Sequence, residues 1–282
     1  MSGLVLEGGA FRGLFTAGAL DALLDEDIHF PYTIGVSSGV SFGVSYISRQ
    51  RGRNWIIAEE YTSDPRFVGI SNFLSTRSIM DMQWVFDTIP NRLAPLDYET
   101  IHASTQRFVI GCSDAISLDR LSYEKSDIDR SGKIVMASCA LPLYFPPIYY
   151  KGKRLIDGGL SDPIPLITSE AHGNESNFVV LTKPKSYRHY LKTDEKILLA
   201  YYSIVSENAA SWLRVRHHHF NHVLERCLKE DGTSKNISIF IDEDLMIPRF
   251  EKDIDSLKAL YEAGYESVMN RVREIRDLSR AK

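Results

Sequence analysis

The chain has 282 residues, with 33 Lys and Arg against 37 Asp and Glu, a net charge of −4 with histidine neutral. Hydrophobic residues make up 44% and charged residues 25%, which excludes a disordered chain, a collagen-like repeat and a disulfide-stapled miniprotein. The slight acidity also argues against an electrostatic nucleic-acid binder, so no nucleic-acid partner is expected.

Residues 3–6 form a short apolar run that ends in Glu7-Gly8-Gly9. From Leu14 the pattern turns helical, with Leu14, Gly18, Leu20, Leu23 and Leu24 largely on one face, until an acidic stop at Asp25, Glu26 and Asp27. Residues 32–36 are the next strand and run into Gly35-Val36-Ser37-Ser38-Gly39; a second helix carries Val40, Val44 and Ile47. Strand, glycine loop, helix, strand, serine turn, helix is the alternation of a parallel α/β sheet. Residues 51–105 read as short helices and loops. Residues 107–112 and 118–124 read as partner strands, and 134–140 as a short helix that stops before Pro142. Residues 154–156 are a brief strand delivering Asp157-Gly158-Gly159, and 178–182 an apolar strand fit for burial on both faces. Residues 194–230 read as two helices, 237–241 as a last strand, and 251 to the end as one long amphipathic helix. The expected architecture is one continuous α/β domain: a catalytic part over residues 1–185, with a helical region over 186–282 packed on it.

Three cysteines, Cys112, Cys139 and Cys227, form no CxxC pair and read as reduced thiols. The first residues lack the basic and apolar regions of a secretory leader, and no window approaches 18 apolar residues. A cytoplasmic location is therefore expected, with any membrane contact peripheral.

Gly35 and Gly39 flank Ser37 in a Gly-x-Ser-x-Gly pattern between a strand and a helix, the setting of a nucleophile elbow. Small residues two before and two after let the chain turn sharply, and the helix N-terminus lends Ser37 free N–H groups and partial positive charge. The similar run Gly111-Cys112-Ser113-Asp114-Ala115 lacks the closing glycine and reads as structural. A Ser…Asp…His triad of the α/β-hydrolase type does not fit, because Ser37 follows only the second strand and no histidine follows an acid at a strand end. Four of the eight histidines crowd into residues 217–222. His218 and His222 are four apart, but no third ligand or HExxH frame accompanies them, so no metal is expected.

Gly8-Gly9-Ala10-Phe11-Arg12-Gly13 fails as a dinucleotide fingerprint, with Ala10 at the middle glycine and no acidic strand end twenty residues on. Its alternative use is an oxyanion hole, where backbone N–H groups converge on developing negative charge; one such donor is worth about 3 kcal/mol in the barrier. Asp157, at a strand end before Gly158 and Gly159, is then a candidate general base. In water a carboxylate is a poor base for serine. Burial in an apolar pocket raises its pKa, and contact supplies proximity.

These motifs, in this order, resemble the patatin-like phospholipase family. Ala137-Ser138-Cys139-Ala140-Leu141-Pro142-Leu143-Tyr144-Phe145-Pro146-Pro147 is similar to the family's Ala-Ser-x-Ala-x-Pro-x-x-Phe-x-Pro stretch before the Asp. The resemblance covers roughly Gly3 to Pro165 by motif. It implies a three-layer α/β/α fold with a mainly parallel central sheet, and a Ser37–Asp157 dyad with no histidine. It also implies an oxyanion loop over Gly8 to Gly13, no cofactor, and a lipid ester as substrate. Two positions depart from the pattern. Ala10 replaces a glycine and costs about 1–2 kcal/mol if its φ is positive. Asp162 stands where the family often has Asn, which removes an amide donor near Asp157.

The expected activity is that of a phospholipase A, lysophospholipase or broader esterase. The alternatives are a lipid-binding or regulatory protein on the same scaffold, with weak or no catalysis, and a nucleotide-binding α/β protein. Phe11, Phe42, Phe73, Leu74 and Trp84 are candidates for an apolar lining. Residues 214–220 (RVRHHHF) could meet anionic head groups at about 1 kcal/mol per cation, or form an ordinary exposed helix face.

Overall fold

A computed structural model describes residues 1–233 and 235–280. In chain order the elements are β1 (Ser2–Leu6), a 3-10 turn (Ala10–Gly13), α1 (Leu14–Asp25), β2 (Tyr32–Val36), α2 (Ser38–Ile47), α3 (Arg53–Tyr61) and α4 (Ile70–Thr76). A π-helical stretch (Trp84–Leu93), α5 (Tyr98–Ala103), β3 (Arg107–Asp114), β4 (Arg120–Glu124), α6 (Lys133–Ser138), β5 (Ile148–Tyr150) and β6 (Lys153–Asp157) follow. Last come α7 (Leu166–Ala171), β7 (Ser176–Val180), α8 (Thr193–Val205), α9 (Glu207–Glu230), β8 (Asn236–Ile239), α10 (Ile254–Met269) and α11 (Val272–Ser279).

The strands form one mixed sheet in the order β5-β6-β3-β2-β1-β7-β8, with β4 also on β3. The ladders linking β3, β2, β1, β7 and β8 are parallel, and those to β4, β5 and β6 antiparallel. Side chains alternate across the sheet as the strand period requires. Leu4, Leu6, Phe108, Ile110, Phe178 and Val180 enter a core with α1, α2 and α10. Val5, Ile34, Val109 and Val179 enter a second core with Leu166 of α7 and Phe220, Val223 and Leu224 of α9. Both faces are covered, which is why β1, β2 and β7 are buried along their whole length. The three-layer α/β/α expectation holds.

The C-terminal region differs from its expectation. The single long helix is two, α10 and α11, broken at Arg271, whose φ of −124° and ψ of 18° leave the helical range. Its guanidinium turns back to Asp231 Oδ1 at 2.7 Å and Ser238 O at 3.1 Å, and those bonds fix the kink. Helix α10 packs on α1 with backbones almost touching. A Cβ on Gly18 would lie 1.8 Å from Tyr261 O, and one on Gly264 would lie 1.9 Å from Phe15 O. No helix among the described residues is long and apolar enough to cross a membrane.

Candidate active site

The site is built from strand ends. Strand β3 carries β4 along one edge over residues 109–113, so its other two partners share the opposite edge. On that edge β2 ends with Val36 opposite Gly111, and antiparallel β6 ends with Asp157 opposite Cys112, the next residue of β3. The C-termini of β2 and β6 therefore meet head to head. Ser37, the residue after Val36, arrives beside Asp157.

Ser37 sits in a sharp turn with φ 54° and ψ −128°, a backbone region that costs a non-glycine residue about 1–3 kcal/mol. Its N–H donates to Ser138 Oγ at 3.0 Å, and Ser138 Oγ donates to Gly111 O at 2.7 Å. That brace ties the turn to β3. Gly35 and Gly39 do not line the cavity and serve close approach instead: a Cβ on Gly39 would lie 2.6 Å from Leu6 O, and one on Gly35 2.8 Å from Gly39 C.

The glycine loop leaves β1 directly above this turn. A Cβ on Gly8 would lie 2.8 Å from Ser37 Cβ. Thr182 pins the loop from β7, its hydroxyl donating to Gly8 O at 2.9 Å. Glu7 accepts from Thr182 N–H and lies 3.2 Å from Lys183 Nζ, a buried ammonium that desolvation lowers to about 8. Gly9 N–H donates to Ser38 Oγ at 2.8 Å, Phe11 N–H to Arg249 O at 3.1 Å, and Arg12 N–H to Gly9 O at 3.2 Å. The N–H groups of Gly8 and Ala10 have no partner among the described residues. Ala10 does take a positive φ, 51°, so the cost attached to replacing glycine there applies. Gly13 packs against Phe42 and is the residue that precedes α1.

Asp157 is 4% exposed. Its N–H donates to Ala140 O at 3.0 Å, its carbonyl accepts from Ser113 Oγ at 2.8 Å, and Oδ1 accepts from Gly159 N–H at 2.7 Å. The Ser113 run is thus structural, as expected, and its structural task is to hold Asp157. Burial raises the Asp157 carboxyl to about 6, against the opposing pull of the Ser37 hydroxyl, the Gly159 N–H, Arg216 and Arg249. The Ser37 hydroxyl lowers that carboxyl, but no Ser37–Asp157 hydrogen bond is made among the described residues, and catalytic bonds commonly tighten only when substrate binds. A Cβ on Gly158 would lie 2.3 Å from Gly111 O, which explains glycine there. Asp162 supports the turn with its backbone, N–H to Gly158 O at 2.9 Å. Its buried side chain turns instead to Thr168, and burial raises it to about 6 as well.

Ser37, Asp157, Gly159 and the loop residues Gly8, Gly9, Ala10, Phe11 and Arg12 line one cavity of about 250 Å³. Phe42, Phe67, Met80, Met82, Phe86 and Phe145 make most of it apolar. Of the lining candidates, Phe11 and Phe42 are present; Phe73, Leu74 and Trp84 are not. Phe73 and Leu74 are exposed, and Trp84 packs on Tyr61 and Phe67. One histidine, His189, lines the cavity, but its ring nitrogens are occupied: Nδ1 meets Tyr187 Oη at 2.9 Å and Nε2 meets Glu195 Oε1 at 2.8 Å.

The stretch 214–220 also differs from its surface reading. Arg214, Val215 and His218 face solvent, but Phe220 is buried and Arg216 points inward at Asp157's turn. The signal was legible: Arg216 lies three after Leu213 and four before Phe220, on the apolar stripe of α9 that continues through Leu224 and Cys227.

The model of the patatin-like phospholipase family matches residues 4–168, more than half of the chain. The chain belongs to that family. A second model, a domain of unknown function (DUF6363), matches residues 207–280. Among curated relatives, the uncharacterized protein YjjU of Escherichia coli is 26% identical over 189 residues, 64% of this chain and 52% of YjjU. Lysophospholipase NTE1 of Yarrowia lipolytica is 26% identical over 191 residues, 63% of this chain and 12% of NTE1. The chain thus matches about half of one relative and a small part of the other. VipD of Legionella pneumophila, a solved structure, aligns with a TM-score of 0.45 and 14% identity, over 97% of this chain and 67% of VipD.

Proposed function

We propose that this protein is a serine acyl hydrolase that cleaves the acyl esters of lipids, phospholipids or lysophospholipids among them. Ser37 is the nucleophile and Asp157 its general base, in a dyad without histidine. The observation that carries the reading is the meeting of the β2 and β6 strand ends on one edge of β3, with both side chains in one apolar cavity. Residues 1–185 would form the catalytic part and 186–282 a helical region packed on it.

In this mechanism the acyl chain lies among the apolar side chains of the cavity, and the ester carbonyl sits over Ser37. Asp157 accepts the Ser37 proton as Oγ attacks the carbonyl carbon. The oxyanion faces the glycine loop, where the unpartnered N–H groups of Gly8 and Ala10 are the available donors. Asp157 then protonates the leaving alcohol, and water releases the acyl group by the same route. A carboxyl raised to about 6 is still ionised at pH 7 and is a stronger base than one near 4. Activity should fall about tenfold for each pH unit below 6.

The test is an ester series from short nitrophenyl esters to phospholipid vesicles, on wild type, Ser37→Ala and Asp157→Asn. Turnover and fluorophosphonate labelling in the wild type, and in neither variant, are expected. Turnover that survives Ser37→Ala refutes the nucleophile. Lipid binding with no turnover and no labelling would instead favour a lipid-binding protein, a reading supported by the strained Ala10 in the loop.

A further inference from the structure

The segment matched by the domain of unknown function reaches both halves of the site. On the Asp157 side, Arg216 of α9 donates from Nη2 to Gly159 O at 2.6 Å and from Nε to Leu160 O at 3.0 Å. Trp212, one turn earlier, donates from Nε1 to Leu160 O at 2.9 Å. On the glycine-loop side, Ile247 O accepts from Arg12 Nε at 2.8 Å and Arg249 O from Phe11 N–H at 3.1 Å. Arg216 is held in turn by Glu195 of α8, which also binds His189.

Asp157 O and Gly158 O are tied by Ser113, Ser161 and Asp162, whereas Gly159 O takes its side-chain hydrogen bond from Arg216. Gly159 has no side chain, and a Cβ placed there would meet only Asp157 Oδ1. Yet the Gly159 N–H orients that same oxygen at 2.7 Å. Gripping the two carbonyls that follow holds the backbone immediately beyond that N–H. Arginine suits the task, because its planar fork spans two acceptors where lysine offers one ammonium. Its side chain is 14% exposed, and at that depth the charge must be spent on acceptors.

We propose that residues 207–280 are a positioning unit of the acyl-hydrolase site, with Arg216 the positioning residue that fixes the Asp157-Gly158-Gly159 turn. The role rests on the hydrolase reading above and gives the domain of unknown function a task within it. The groups acting on Asp157 are the Arg216 and Arg249 cations, the Ser37 hydroxyl and the Gly159 N–H; the thiols of Cys112 and Cys139, both pushed up by burial, are its other titratable neighbours. Removing the Arg216 charge therefore also moves the pH at which Asp157 ionises upward.

The full chain is assayed with a soluble nitrophenyl ester as wild type, Arg216→Lys, Arg216→Met and the Ser37→Ala blank, with kcat, KM, the pH–rate profile and Tm recorded. In Arg216→Met, kcat should fall at least about tenfold with KM within about threefold, and the acid limb should move to higher pH. In Arg216→Lys, which keeps the charge but cannot span both carbonyls, kcat should fall comparably with the limb in place. A folded variant that keeps kcat within about twofold and the wild-type acid limb overturns the proposal. If Arg216→Met does not fold, the kcat of Arg216→Lys decides. Wild type without Ser37-dependent turnover refutes the hydrolase reading and this role with it. That outcome is distinct from an active wild type indifferent to Arg216.

Discussion

Replacing Asp157 by Asn should abolish turnover and stabilise the protein, with the gain absent in acid and complete above about pH 6. The carboxyl is raised from 3.8 to about 6 by burial. At about 1.4 kcal/mol per tenfold, holding it ionised in the native state costs about 3 kcal/mol. Below pH 3.8 the carboxyl is protonated in native and unfolded chains alike, and no penalty exists. Between 3.8 and 6 the unfolded chain ionises first, so native stability drains as pH rises. Above 6 the full penalty is in place. Asn keeps the oxygen that accepts from Gly159 N–H and removes the charge. Urea unfolding of both proteins at constant ionic strength from pH 4 to 8 should give curves that nearly meet at pH 4 and separate by about 2–3 kcal/mol at pH 7. A separation independent of pH, or one that closes as pH rises, would show that burial does not penalise this carboxylate. The assignment of Asp157 as a base poised near neutrality would fall with it.

Two further outcomes concern the backbone. Ala10→Gly relieves a φ of 51°, and after the entropy glycine gives up on folding the net gain should be about 0.5–1 kcal/mol. A lower Tm than wild type would mean that the Ala10 methyl is needed where it stands. Gly18→Ala puts a methyl 1.8 Å from Tyr261 O and should force α1 from α10 at a cost of about 3 kcal/mol or more. An unchanged urea midpoint would refute the close approach of the two helices.

Much of the site was legible because its signals are local. The strand–loop–helix–strand–turn–helix order of the first fifty residues needs only periodicity and glycine placement, and it located Ser37 and the loop. Asp157 was legible as a residue but not in its geometry. It lies 120 positions from Ser37, and the two meet only through a ladder to β3 that no local pattern encodes. Strand β5 is three residues long and left no pattern to find. Arg216 was hidden by composition: among RVRHHHF the eye takes charge for surface, while the spacing to Leu213 and Phe220 puts it on the buried face. The break between α10 and α11 also escaped the heptad-like pattern, because it depends on where Arg271 finds distant acceptors.

The contact between α1 and α10 bears on how the molecule comes to exist on the ribosome. The first helix to emerge exposes the face around Gly18, whose cover from α10 is translated about 240 residues later, and β1 likewise waits for β7 on one of its two sides. The nascent chain must therefore carry an uncovered apolar surface through most of its synthesis. Its yield in a cell depends on whatever shields that surface until the last helices arrive.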